Sequence, residues 1–265
     1  MKNLIALFCA ATVGAALAAS TVESGNTFGV LRVDVGASAE EAIIAVPWLA
    51  CSTDESPIKV TDVVKTANLH AGDQLYYYDT TTKKYQAWEL REEGGTKTWV
   101  AAALVSETGT EAGSLEKTLE RGNAILLKRP DTARAASVYL YGQVPTTGSA
   151  TITMAKGTSD AMAYTLIAPP SSADTKLSSG TWSNVAEGDM IVMAGQAPFK
   201  YDASSQKWGH KTVEVKTDGT GVDVSWKDTE AAIPAGQGAW YISAKGTATA
   251  AAKWTLDNLP HVDQQ

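Results

Sequence analysis

The sequence predicts an all-β protein, mainly two tandem, homologous β-sandwich- or barrel-like domains with at most one or two short helices. Three observations carry that expectation. Four short phrases recur in the same order in the two halves of the chain. The recurring pieces alternate apolar and polar residues or are rich in Val, Ile, Tyr and Trp. Gly-Asp and Tyr-Asp turns separate them.

The N-terminus comes first. Lys2 supplies a positive charge, Leu4 to Ala19 is apolar or small almost throughout, and Ala16-Leu17-Ala18 offers a small-x-small cleavage site. That is the pattern of a secretory signal peptide, and the apolar run falls short of the roughly 20 residues of a membrane span. The expected organisation is a signal peptide over 1–18, a first β-domain over 19–144 and a second over 145–265. Cys9 follows bulky Phe8 in mid-segment, unlike a lipidated cysteine, and leaves with the peptide. Cys51 is then the single thiol, so no intramolecular disulfide forms even though export permits one. Trp48-Leu49-Ala50 before it points to a thiol lodged in apolar packing rather than a nucleophile. Loss of Lys2 takes the net charge from −7 to −8. An acidic chain without basic clusters is a poor candidate for nucleic acid, and no membrane span is expected after cleavage.

Along the mature chain, Gly29 to Val35 alternates with a period of two, as Thr151 to Met154 does in the second half. Ile43-Ile44-Ala45-Val46-Pro47 is matched by Thr165-Leu166-Ile167-Ala168-Pro169. Val60 to Asn68 places Val60, Val63, Val64 and Ala67 on one helical face. Ala71-Gly72-Asp73-Gln74-Leu75 answers to Glu187-Gly188-Asp189-Met190-Ile191. Tyr78-Asp79 and Tyr201-Asp202 each open a polar hairpin loop. Arg121-Gly122-Asn123-Ala124-Ile125 matches Ala235-Gly236-Gln237-Gly238-Ala239. The matches drift in spacing but keep their order, as loop insertions do to a duplicated domain, because lengthening a loop costs little. Ala194 to Pro198 has no equivalent in the first half. The linker chemistry of 143–149, with Pro145, Thr146, Thr147 and Gly148, marks the boundary.

Each half resembles a β-module that recurs in secreted bacterial proteins, a family of unknown function. Its phrase runs Leu-Ile-x-Pro, then a Gly-Asp strand and a Tyr-Asp hairpin, and closes on Pro-x-Gly-x-Gly-x-Trp. Leu166-Ile167-Ala168-Pro169 and Pro234-Ala235-Gly236-Gln237-Gly238-Ala239-Trp240 carry the likeness. The first half departs from it, keeping Gly122 alone of the two glycines and Leu126 in place of tryptophan. The resemblance implies a non-catalytic part of an exported or surface protein. A phosphate-cradling reading of Gly236 and Gly238 is disfavoured because the phrase precedes a strand rather than a helix.

No catalytic, cofactor-binding or metal-ligating set is expected. His70, His210 and His261 lie far apart without ligand spacing and read as surface residues. No G-x-S-x-G turn occurs. Asp73 and Asp189 are expected to satisfy backbone N–H groups in their turns, with calcium as the alternative there and at Asp218-Gly219-Thr220-Gly221-Val222-Asp223. Eight tryptophans and nine tyrosines against three phenylalanines are the remaining lead. Tyr76, Tyr77 and Tyr78 are consecutive, so on a strand Tyr77 faces away from the other two. The expected function is that of an exported non-catalytic structural or adhesive protein of the cell envelope or surface. A glycan-binding module is the alternative, and a secreted hydrolase is third. Partners are then other envelope proteins or surface glycans, and the location is periplasm, cell surface or extracellular.

Overall fold

The computed structural model describes residues 28–35, 41–50, 56–66, 68–102, 110–130, 136–144, 148–216, 222–228, 231–246, 250–257 and 259. The expected signal peptide over 1–18, Cys51, His261 and most of the Asp218–Asp223 segment lie outside them. Among the described residues the chain is nearly all strand, with one turn of helix. The first half runs β1 (Phe28–Val35), β2 (Glu41–Ala45), β3 (Ile58–Lys59), α1 (Val60–Val63), β4 (Gln74–Asp79), β5 (Lys84–Glu93), β6 (Thr96–Ala101), β7 (Thr110–Ala112), β8 (Thr118–Leu119), β9 (Ala124–Lys128) and β10 (Ala136–Gln143). The second runs β11 (Ala150–Met154), β12 (Ala163–Ile167), β13 (Thr175–Lys176), β14 (Thr181–Ser183), β15 (Met190–Val192), β16 (Phe199–Asp202), β17 (Lys207–Val215), β18 (Val222–Asp228), β19 (Ala232–Ile233), β20 (Ala239–Ser243) and β21 (Ala252–Leu256). No described helix is long and apolar enough to cross a membrane.

The expected helix over Val60 to Asn68 is reduced to α1, after which Val64 is extended and bridges Leu140. Its run of β-branched residues explains this, since Val60, Thr61, Val63 and Val64 lose side-chain freedom in a helix. No side chain caps its start.

The large sheet of the first half has the order β2-β9-β4-β5-β6, and that of the second β12-β20-β15-β16-β17-β18. Each is accompanied by a ribbon, β1-β10 in one half and β11-β21-β14 in the other, and by a two-stranded pair, β3-β8 or β13-β19. Among the described residues no sheet mixes strands of the two halves. The packing follows from strand alternation. In β10, Ala136, Val138 and Leu140 turn inward against Leu75, Trp88, Ile125 and Leu127 of the large sheet. In β21, Ala252, Trp254 and Leu256 do the same against Ile191, Phe199 and Tyr241. Each half therefore fills its own sandwich-like core, one drawn from residues 33–140 and the other from residues 152–259.

The registers of the two halves run in parallel. Leu75 lies opposite Leu127 and Trp88, and Ile191 lies opposite Tyr241 and Phe199. Leu90 faces Trp99, and Tyr201 faces Trp208. Ile58 faces Leu119, and Thr175 faces Ile233. Two expected matches shift. Ile43 lies opposite Leu126, and its counterpart opposite Trp240 is Leu166, not Thr165. A one-residue slip reverses the faces of a strand, and Ile44 and Ile167 are the residues that enter the two cores. The Tyr-Asp hairpins are also not at equivalent places. Asp79 closes β4–β5, whereas Asp202 closes β16–β17, whose counterpart β5–β6 turns on Gly94-Gly95. The counterpart of the Asp79 turn is the β15–β16 turn over residues 193–198, which holds Ala194–Pro198, the segment without a sequence match.

Candidate functional site

The Gly-Asp corners are structural in geometry. Gly72 and Gly188 hold φ of +94° and +88°, which glycine alone adopts freely. Asp73 and Asp189 follow, both buried. The Asp73 carboxylate accepts from the His70 N–H (2.9 Å) and that of Asp189 from the Ala186 N–H (2.9 Å). Asp189 does more. It also accepts from the Ala244 N–H (2.8 Å) and from the Tyr241 hydroxyl (2.5 Å). Burial, and then the Asp189 acceptor, push the Tyr241 hydroxyl far above its ordinary value, so it stays a proton donor. Among the described residues, no three of His, Cys, Asp and Glu gather as a metal site. His70 and His210 are half-buried rather than fully on the surface, and the His210 ring packs 4.3 Å from that of Phe199.

The two halves meet through contacts that come in pairs. Ile44 bridges Gln237, and Ile167 bridges Asn123. The Ala45 N–H donates to the Gly236 carbonyl (2.9 Å), and the Ala168 N–H donates to that of Gly122 (3.1 Å). Gly236 sits under Val33, and Gly122 under Ile152, its counterpart on the other ribbon. Swapping the halves exchanges each contact with its mate, which is the logic of a two-fold interface. Gly238 and Ala124, which are themselves counterparts, meet at its centre. A Cβ on Gly238 would stand 2.6 Å from the Ile167 carbonyl oxygen. The glycines of the Pro-x-Gly-x-Gly-x-Trp phrase thus serve close approach of two backbones. A third buried cluster, including Tyr76, Leu126, Leu166 and Ala168, seals the junction.

Trp240 does not enter the core of its own half. Its neighbour Tyr241 enters the second core, while Trp240 lies on the opposite face, at the junction. There it meets Tyr78 (6.0 Å), Tyr85 (6.4 Å) and Tyr164 (6.4 Å) edge-to-face. Tyr76 and Tyr78 share this junction face, and Tyr77 packs against the first core instead. Tyr164 stays 43% exposed, and these rings with Val192 and Ile242 border an apolar cleft of about 440 Å³.

A second cleft, of about 390 Å³, opens on the second half alone. Its floor is aromatic. The half-buried Trp182 ring lies flat on Trp254 (4.5 Å, 10° between planes) and edge-on to Trp208 (5.0 Å), which in turn packs on Tyr201 (5.2 Å). The Trp182 indole N–H is held by the Leu177 carbonyl (2.8 Å). The rim is polar: Ser178, Thr181, Ser205, Gln206 and Lys207. One carboxylate adjoins it. Asp202 accepts from the Ser205 hydroxyl (2.5 Å), the Ser204 hydroxyl (2.8 Å) and the N–H groups of both (3.3 Å each). The Ser205 and Ser204 hydroxyls hold it below the usual carboxylate range. The same capping recurs at Asp79, where desolvation raises the carboxyl but the Thr81 and Thr82 N–H groups prevail and lower it.

The sequence singled out the aromatics without placing them. Trp182 and Trp254 lie far apart in the chain, and only the β14–β21 pairing, Trp182 opposite Trp254, brings them together. The chain matches no protein-family model, no curated protein and no solved structure.

Proposed function

We propose that the chain is an exported, non-catalytic structural or adhesive protein of the cell envelope or surface, built by tandem duplication of one β-module. The observation that carries the reading is the paired junction. Two units, each with its own core, are tied by reciprocal strand bridges over a buried cluster of their own. Such a joint fixes the relative orientation of two surfaces, which suits a protein that holds partners apart or together. A flexible linker alone leaves tandem units free to move. The buried acids support the same reading, since Asp73 and Asp189 are occupied in holding strand corners.

Glycan binding is the second reading, favoured by the aromatic floor and polar rim of the cleft at Trp182 and Trp208. The test of the first reading is fractionation of native cells with N-terminal sequencing of the recovered protein. The expected result is a chain beginning at about Ala19 in the envelope or medium. An intact Met1 terminus in the cytoplasm overturns it.

A further inference from the structure

We propose that the cleft of the second half, floored by Trp182, Tyr201 and Trp208, binds an uncharged oligosaccharide. The inference rests on the non-catalytic reading above and gives it a ligand class. The first half serves as an internal control. Its counterpart positions carry Leu90 for Tyr201 and Val138 for Trp254, and its equivalent hairpin turns on Gly94-Gly95 in place of the four residues 203–206. The first half keeps one of these aromatics, since Trp99 stands where Trp208 does, but otherwise closes with aliphatic residues and a minimal turn. Trp182, Tyr201, Trp254 and the longer polar rim are additions of the second half that the fold does not need.

The chemistry of those additions fits a sugar. A pyranose ring offers an apolar C–H face and a girdle of hydroxyls, so it needs aromatic surface and neutral hydrogen-bonding groups side by side. The cleft supplies both, with Ser178, Thr181, Ser205 and Gln206 beside the indoles. Its volume of about 390 Å³ falls within the range of small-molecule sites. The floor is preorganised. Trp182 is pinned by its N–H and its stack on Trp254, and the Trp254 N–H is itself held by the Ser179 carbonyl (2.8 Å). The rim is likewise fixed, because Asp202 locks Ser204 and Ser205, and Gln206 takes a φ of +57°. Asp202 is engaged in that task, and Lys207 on the same rim opposes its charge, so the cleft offers no excess positive charge to draw an acidic sugar.

Titration of the mature protein, followed by tryptophan fluorescence, tests this with four probes: cellotetraose, chitotetraose, mannotetraose and an acidic tetragalacturonate. Saturable binding of at least one neutral tetrasaccharide is expected. Trp182→Ala should weaken it at least tenfold. Gln206→Gly, which suits the positive φ and so preserves the fold, should weaken it several-fold. Tyr164→Ala, at the junction cleft, should leave it unchanged. No saturation with any neutral probe up to about 10 mM, a limit set by the weakest affinities worth calling specific, overturns the proposal. Binding that survives both cleft substitutions, or binding of the acidic probe alone, also overturns it. Binding accompanied by shortening of the oligosaccharide supports the site and refutes the non-catalytic reading.

Discussion

Replacing Asp189 by alanine should cost far more than the same change at Asp73, although the two residues occupy the same Gly-Asp corner. Asp189→Ala leaves three donors without their acceptor: the Ala186 and Ala244 N–H groups and the buried Tyr241 hydroxyl. An orphaned buried donor costs about 1–3 kcal/mol, and the two part-buried N–H groups fall at the low end, so the loss is about 3–6 kcal/mol. Asp73→Ala strands the His70 N–H, for about 1–2 kcal/mol. The difference has a reason in sequence. Tyr241 has the hydroxyl that its counterpart Leu127 lacks, and Pro130 has no N–H where Ala244 donates one. Urea unfolding of the mature chain reads this out. With a slope of about 2–3 kcal/mol/M, the midpoint of Asp189→Ala should fall by about 1–3 M and that of Asp73→Ala by about 0.3–1 M. Equal shifts, or a larger one for Asp73, would show that the corner's worth does not come from its hydrogen-bond count.

Three further outcomes follow. Gly238→Ala drives a Cβ against the Ile167 backbone and Ile43, so it should lower stability by about 1–3 kcal/mol, read by the same unfolding curves; no change means the halves do not approach so closely. Lys83→Gly removes a side chain from a φ of +57° and should raise the melting temperature by about 2–4 °C, an increase that a strained Lys83 requires. Asp202 is held below its unfolded value by Ser205 and Ser204, so its stabilising contribution is present above the ordinary carboxylate pKa of about 3.9 and is lost as pH falls through the lower folded value. Thermal melts taken from neutral pH into acid should therefore fall less steeply for Asp202→Asn than for the wild type, and parallel curves count against the Asp202 cap.

Much of this architecture was legible in the chain, for local reasons. Strand alternation, glycine at positive φ and aspartate capping act within a few residues, so Val33, Gly72 and Asp189 announce their roles. Tyr77 could be set apart from Tyr76 and Tyr78 by strand geometry alone. What failed depended on distant partners. The Ile43 match slipped by one because Pro169 and Pro170 are adjacent and either can align with Pro47, and only cross-strand register chooses between them. The Asp79 and Asp202 hairpins look alike because the same capping chemistry suits any four-residue turn, wherever it sits in the sheet. The place of Trp240 outside the core of its own half could not be read locally, because no local signal reveals that the first half covers the outer face of β20. The cleft of the second half was invisible for the same reason, since its floor is assembled from β14, β16, β17 and β21.

If the paired junction fastens the two halves into one body, they unfold together. Scanning calorimetry of the chain from Ala19 onward should then show a single transition in which the calorimetric and van't Hoff enthalpies agree, separating into two in Gly238→Val, where the junction is forced open but each core is intact. Two independent transitions in the wild type would contradict it.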